Sequence, residues 1–183
     1  IIEGREVFVG TRKLMSENGL STGPIESNLT SIENRGRSAM IMAIDGKAEA
    51  IIALADTVKE NSRQAIDELK KMGIEVYMIT GDNRRTAEAI AREVGINNVL
   101  SEVLPENKVQ MIKKLQATGK KVAMAGDGIN DAPALAAADI GMAMGTGTDV
   151  AIETADITLM RGDLKTIPAS IRLSRQTMRK IKQ

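Results

Sequence analysis

The chain contains no cysteine, no histidine and no tryptophan among its 183 residues. Without thiols it forms no disulfide and offers no thiolate nucleophile or zinc ligand. Without imidazole no Ser-His-Asp arrangement can assemble, so any general acid or base must be Asp, Glu, Lys or Tyr. Aromatic side chains are reduced to Phe8 and Tyr77, so the interior must be filled by aliphatic residues and by the 11 methionines. That scarcity also removes the stacking platforms that hold single-stranded bases. Neither charge sign dominates: 25 basic and 24 acidic residues leave a net charge of +1. The pairs Lys70-Lys71, Lys113-Lys114 and Lys120-Lys121 then read as solvated helix ends, and no nucleic-acid partner is expected. No window approaches the ~20 consecutive apolar residues of a membrane-spanning helix. The opening Ile1-Ile2-Glu3-Gly4 is neither Met-initiated nor signal-like and reads as an internal point of a longer protein.

What is present is a hydrophobic content of 43%, enough for a packed core in one ordinary domain or two small ones. Alternation over Arg5 to Val9 predicts a short strand, and Thr11 to Asn18 a helix with Leu14 and Met15 inward. Ile25, Leu29 and Ile32 recur at helical spacing until Asn34-Arg35-Gly36. Ser38 to Ile44, the Asp45-Gly46 turn and Ala48 to Leu54 predict a β-hairpin. Residues 1–55 are therefore expected to be α+β with antiparallel pairing.

The pattern then changes. Asp56-Thr57 are suited to cap a helix from Val58 to Lys71 that buries Ala65, Ile66, Leu69 and Met72. Ile74 to Ile79 reads as a strand, followed by a helix from Arg84 to Val94 that Asp82 can cap. Val99 to Val103 is a weaker strand. Pro105 opens a helix to Ala117 with Val109, Ile112 and Leu115 buried. Val122–Ala125, Ile140–Met144 and Ile157–Met160 are further strands, and a short helix lies over 149–154. A long amphipathic helix runs from Leu164 toward Lys182. Alternating helices and strands predict an α/β region, 56–183, with a parallel sheet and helices on both faces.

Three clusters fall at consecutive strand ends, where α/β sheets place their chemistry. The most specific is Ala125-Gly126-Asp127-Gly128-Ile129-Asn130-Asp131-Ala132-Pro133, a tight strand-to-helix turn. It presents Asp127 and Asp131, hard oxygen donors suited to Mg²⁺. Thr80-Gly81-Asp82-Asn83 supplies a hydroxyl and the freed N–H groups of a helix start, a cradle for phosphate or simply a helix cap. In Leu104-Pro105-Glu106-Asn107-Lys108 the lysine stands one turn into a helix, either as a surface residue or as a point charge reaching a phosphoryl group. Hydroxyl, ammonium and carboxylates converging on one sheet end are what phosphoryl transfer requires.

These strings resemble the second, third and fourth signature motifs of the haloacid-dehalogenase superfamily, and in detail those of P-type cation-transporting ATPases. The resemblance covers essentially the whole chain. It implies a Rossmann-like haloacid-dehalogenase parallel sheet over 56–183, the phosphorylation domain, preceded by the second part of a nucleotide-binding domain over 1–55. It implies that Thr80 and Lys108 contact the transferred phosphoryl group, that Asp127 binds Mg²⁺ with Asp131 beside it, and that Asn130 supports the site. Gly81 and Asp82 would approach the nucleotide phosphates. Val7-Phe8-Val9-Gly10-Thr11-Arg12 resembles the glycine-bearing ATP contact of heavy-metal pumps, with Gly10 against the adenine. Gly145-Thr146-Gly147-Thr148-Asp149-Val150-Ala151 and the tail Ser174–Gln183 resemble the copper branch, the tail leading toward a membrane helix.

The implied parent is therefore an ATP- and Mg²⁺-dependent Cu⁺ export pump in the cell membrane, this part on its cytoplasmic side and itself soluble. Two departures stand out. The family's phosphorylated aspartate lies in Asp-Lys-Thr-Gly-Thr, a string this chain does not contain; Asp163-Leu164-Lys165-Thr166 only approximates it, and Asp163 reads as a helix cap. The adenine-side Ser-Glu-His-Pro is absent as well. The chain is thus expected to be inactive alone, without the first strand of its sheet. Strand pairing with another segment or copy through that gap is the expected consequence. A soluble phosphatase using Asp163, or a non-catalytic nucleotide-binding or assembly module, are the alternatives.

Overall fold

The structure, a computed structural model, describes residues 1–54, 58–145 and 148–183. It divides into two compact units, residues 1–58 with 82–93, and residues 59–81 with 94–183.

The first unit is built on an antiparallel sheet of β1 (Val7–Gly10), β2 (Ser38–Ile44) and β3 (Lys47–Leu54), in that order. The expected hairpin is present. Its Asp45-Gly46 turn has positive φ at both residues, 48° and 84°, as the turn that matches strand twist demands. Asp45 also accepts the Glu6 N–H at 3.0 Å and pairs with Arg5 at 2.8 Å, which ties β1 to the turn. Two helices, α1 (Arg12–Glu17) and α2 (Glu26–Asn34), cover one sheet face. Met15, Leu29, Ile41 and Ala43 meet beneath them, with Phe8, Leu14 and Ile51 packed around. The core is aliphatic and thioether, as the shortage of aromatics dictates.

A helix from farther along the chain, α4 (Arg84–Val94), contributes residues up to Glu93 to this unit. Thr86 is buried and donates its hydroxyl to the Arg37 carbonyl at 3.1 Å. At the start of α4 Asn83 accepts the Thr86 N–H at 3.0 Å. Glu33 is only 2% exposed, and its carboxylate is neutralised by Arg12 and by Arg85, the latter at 3.2 Å.

Among the described residues the second unit contains five short parallel strands. β4 (Tyr77–Ile79) pairs with β5 (Asn98–Leu100), and β6 (Ala123–Gly126), β7 (Ile140–Met144) and β8 (Ile157–Leu159) form a separate sheet in that order. Among the described residues β4 pairs with β5 alone and β6 with β7 alone. Strands expected over 74–79 and 99–103 are trimmed to three residues each. The paired register covers only those residues, and Glu102 beyond it has a positive φ of 56°. The helices are α3 (Ser62–Lys71), α5 (Pro105–Ala117), α6 (Ala132–Ala137), α7 (Asp149–Thr154) and α8 (Thr166–Ile181). α3 buries Ala65, Ile66 and Leu69 as expected, and Ser62 besides; Met72, its C-cap, stays half-buried. The proposed cap at Asp56-Thr57 lies outside the described residues, as do Thr146 and Gly147 of the later loop. In α5 only Ile112 is fully buried, because the helix packs along one line on α6; Val109 and Leu115 are half-buried. Met142, Met144 and Leu159 form a core with Ile157, Leu164 and Ile167 against it. Among the described residues no helix is long and apolar enough to cross a membrane.

Tyr77 lies in β4 with the Lys120 ammonium 5.6 Å from its ring centre and its hydroxyl donating to Glu75 at 3.1 Å. Asp139 joins α5, β6 and β7. It accepts from Lys121 at 2.7 Å, from the Val122 N–H at 3.0 Å and from Gln116 at 3.0 Å. The Lys121 ammonium, then the Val122 N–H and the Gln116 amide, hold its carboxyl well below the usual carboxylate range.

Two outcomes follow. Removing Arg12 leaves the buried Glu33 carboxylate with Arg85 only. Breaking an enclosed pair costs about 3–5 kcal/mol; because the Arg12 side chain is 33% exposed, Arg12→Ala should cost about 2 kcal/mol in urea unfolding. Asp139 stabilises the fold fully above the carboxyl's unfolded pKa of about 3.9, and that contribution is lost as pH falls further toward its depressed folded value. Asp139→Asn should therefore lower the melting temperature near neutral pH, and the gap from wild type should begin to narrow only as pH falls below about 4.

Candidate active site

The site grows from the end of β6. Gly126 is followed by Asp127, Gly128, a single 3₁₀ turn at Ile129–Asp131 and then α6, with Pro133 in its first turn, where no N–H is needed. The chain folds back so tightly that a Cβ on Gly126 would lie 2.8 Å from the Asp131 Cβ and Oδ2. Glycine at 126 is thus a packing requirement. Asp131 donates its N–H to the Gly128 carbonyl at 3.0 Å, and its Oδ2 accepts the Gly128 N–H at 3.3 Å. The Asp127 carbonyl accepts the Thr148 N–H at 3.0 Å, and the Thr148 hydroxyl caps α7 by accepting from Ala151. The Asp127 and Asn130 side chains are exposed.

Lys108 enters from the first turn of α5. Its ammonium lies 2.6 Å from Asp131 Oδ1, and the two side chains are 15% and 14% exposed. A surface lysine would be solvated; this one is withdrawn onto a carboxylate that the 3₁₀ turn has already oriented. Charge-assisted bonds of this kind are shorter and stronger than neutral ones.

Lys108, Gly126, Asp127 and Asp131 line an open cleft of about 300 Å³, with Ile79 and Lys59 on other parts of its wall. Ile79 is the last residue of β4, immediately before Thr80. The Thr80 backbone is clamped there: its N–H donates to Leu100 O at 3.0 Å and its carbonyl accepts from Val103 N–H at 3.1 Å. Gly81 follows, exposed, with only the Val103 carbonyl near a built Cβ, at 3.6 Å.

Lys59 was not anticipated. It donates to the Gly162 carbonyl at 2.9 Å, joining two segments far apart in sequence, and no local pattern marks it. Gly162 and Leu164 also reach the cleft; the intervening Asp163 lies two residues before the N-cap of α8, which is Lys165 and not the expected Asp163. Its Oδ1 accepts the Lys165 N–H at 3.0 Å and its Oδ2 accepts from Asn61 at 3.1 Å.

The remaining candidates, Gly10 and Asp82, belong to the first unit. A Cβ on Gly10 would come within 2.4 Å of Leu14 Cδ2, so α1 already packs against that backbone. Asp82 accepts the Ser38 hydroxyl at 3.3 Å.

Among the described residues no three His, Cys, Asp or Glu side chains are grouped to cage a metal ion. Two carboxylates at an open cleft are nonetheless the donor set of Mg²⁺, which keeps several waters and takes one or two carboxylates together with substrate phosphate oxygens. The residues present fit that ion.

Comparison with known proteins agrees with this geometry. The profile of the haloacid dehalogenase-like hydrolases matches residues 3–139. The copper-exporting P-type ATPase of Bacillus subtilis (strain 168) is 56% identical over 180 residues, which is 98% of this chain and 22% of that protein. The copper-exporting P-type ATPase of Staphylococcus aureus (strain JH9) is 54% identical over 183 residues, 100% of this chain and 23% of that one. The chain thus spans less than a quarter of these relatives' length. Among solved structures, a zinc-transporting PIB-type ATPase in its E2.Pi state superposes over 100% of this chain and 29% of its own, with a TM-score of 0.74 and 37% identity. The catalytic domain of a CPx-ATPase covers 72% of this chain and 52% of its own, with a TM-score of 0.60 and 34% identity.

A double-mutant cycle tests the central contact. Lys108→Met and Asp131→Asn, singly and together, should give a coupling free energy of about 1–2 kcal/mol in urea unfolding. A coupling near zero would mean that the pair contributes nothing to the folded state.

Proposed function

The chain belongs to the haloacid dehalogenase-like hydrolases, and from that premise we propose that it is part of the catalytic portion of an ATP-driven heavy-metal export pump. The observation that carries the reading is the strand-end cleft in which Lys108 is locked to Asp131 beside the exposed Asp127. Its cargo is Cu⁺, a choice supported by the identity to copper exporters. The site works through an aspartyl phosphate. In the parent protein, which is membrane-embedded, these residues lie on the cytoplasmic side; residues 1–55 belong to the nucleotide-binding domain and 56–183 to the phosphorylation domain.

Each residue then has a task. Lys108 offers its ammonium to the equatorial oxygens of the transferring phosphoryl group, and Asp131 holds that ammonium in place. Thr80, its backbone fixed between Leu100 and Val103, presents a hydroxyl to the same oxygens. Asp127, with Asp131 at its side, is the carboxylate that would hold Mg²⁺; the ion supplies positive charge that offsets the charge on the phosphoryl group. Asn130 supports the turn beside it. Gly81 and Asp82 approach the nucleotide phosphates, and Gly10 lies against the adenine.

The attacking aspartate is the part this chain does not supply. Asp-Lys-Thr-Gly-Thr does not occur in the 183 residues. Asp163 is a poor substitute, since both of its carboxylate oxygens are engaged, Oδ1 by the Lys165 N–H before α8 and Oδ2 by Asn61 before α3. β4 and β6 each have one strand partner among the described residues, and the cleft is lined from both through Ile79 and Gly126. A further strand bearing the nucleophile, from the same protein or from another copy, would find backbone partners at this place.

The test is transfer of labelled γ-phosphate from ATP. The 183-residue chain should form no acid-stable, hydroxylamine-labile adduct. A longer form that includes Asp-Lys-Thr-Gly-Thr should form one, and Lys108→Ala should reduce its yield about a hundredfold, the scale of losing one preorganised donor. Labelling of the 183-residue chain itself would overturn the assignment of the nucleophile.

A further inference from the structure

Glu33 is a costly residue for its place. Its side chain is 2% exposed, and a carboxylate withdrawn from water must be met by cations. Packed aliphatic groups often stabilise a fold as well as a buried ion pair does. What an arginine fork adds is geometry, since it fits a carboxylate in few orientations. The arrangement imposed at Glu33 is specific. Its Oε2 accepts from two guanidiniums at once, from Arg12 Nη2 at 3.2 Å and from Arg85 Nη1 at 3.2 Å, while its Oε1 accepts from Arg12 Nη1.

The two arginines stand beside the unit's two candidate nucleotide contacts. Arg12 opens α1, two residues after Gly10, whose backbone is pressed against Leu14 so closely that a Cβ would lie 2.4 Å from Cδ2. Arg85 is the second residue of α4, three after Asp82. One carboxylate oxygen therefore joins the β1–α1 turn to the start of α4, segments distant in sequence. Arg12 is steadied from its other side by Glu26 at 2.8 Å. The stretch that follows Glu33 repeats the grip on α4. The Arg37 carbonyl accepts the Thr86 hydroxyl at 3.1 Å, and the Ser38 hydroxyl donates to Asp82 Oδ1 at 3.3 Å. Residues 33–38 thus meet residues 82–86 at three points.

We propose that Glu33 is a positioning residue for a nucleoside triphosphate: through Arg12 and Arg85 it sets the separation between the Gly10 backbone, on the adenine side, and Asp82, on the phosphate side. The inference rests on the reading of Gly10 and Asp82 as nucleotide contacts. It adds what neither motif contains, a fixed span for a ligand with a base at one end and phosphates at the other. A span set before binding lowers the ordering cost of holding both ends. Adenosine has no phosphates and gains nothing from it.

The experiment is titration calorimetry of the 183-residue chain with ATP and with adenosine, on Arg85→Ala, Glu33→Gln and the double variant. In Arg85→Ala the Glu33 carboxylate still meets Arg12, so circular dichroism should show the variant folded. Wild type should bind ATP more tightly than adenosine. Each single variant should lose about tenfold in ATP affinity, with adenosine affinity unchanged. The double variant should lose no more than either single one, because both remove the same link. Arg85→Lys should recover part of the loss. If Glu33→Gln does not fold, Arg12→Lys, which keeps the charge without the fork, takes its place in the cycle. A parallel loss for both ligands would mean general loosening. Loss in Arg85→Ala alone would mean a direct contact of Arg85 with phosphate. Either result, or unchanged ATP binding in both single variants, would overturn the proposal. Wild-type binding of ATP no tighter than that of adenosine would instead overturn the assignment of Asp82 to the phosphates, and the proposal with it.

Discussion

The Asp131 carboxylate, drawn back across Gly126 and closed onto Lys108, is the contact around which the second unit is arranged. It constrains three elements at once. β6 must end in a residue without a side chain, the 3₁₀ turn must bring an acid to within one bond of Gly128, and α5 must deliver a lysine from its first turn. None of these groups is buried alone. The two meet in a cleft that opens to solvent. The pair thereby keeps a cation at the mouth of a strand end, and Asp127 stays exposed beside it.

The first unit uses the same device for a different end. Glu33, in the last turn of α2, lies between two guanidiniums, one from the start of α1 and one from α4. The carboxylate is only 2% exposed, so its partners are obligatory, and they come from segments separated by most of the unit's sequence. It fastens residues 84–93 to the hairpin region more specifically than aliphatic contact alone, since an arginine fork fits a carboxylate in few orientations.

Local signals carried far. The Asp45-Gly46 hairpin, the helix that starts at Pro105, and the turn from Gly126 to Asp131 were legible because each is specified by neighbours in the chain. Lys108 could be placed one turn into a helix at a strand end, and it does meet the aspartate turn. What could not be read required distance. Lys59 reaches the cleft only because Gly162, about a hundred positions later, folds beside it. Asn83, next to the expected Asp82, also caps α4 by accepting the Thr86 N–H, a contact that composition alone does not announce. The trimming of β4 and β5 to three residues, and their separation from β6–β8, depend on which strands find partners, a property of pairing that no single strand's pattern encodes.

Tyr77 gives this separation an optical handle. It is the chain's one tyrosine, and there is no tryptophan to mask its emission. It stands in β4 two residues before Ile79 at the cleft, with the Lys120 ammonium over its ring. A strand added along the open edge of β4 would change the polarity and quenching around that ring. The unlabelled chain thus reports, through its own fluorescence, on whether the gap in its sheet is filled.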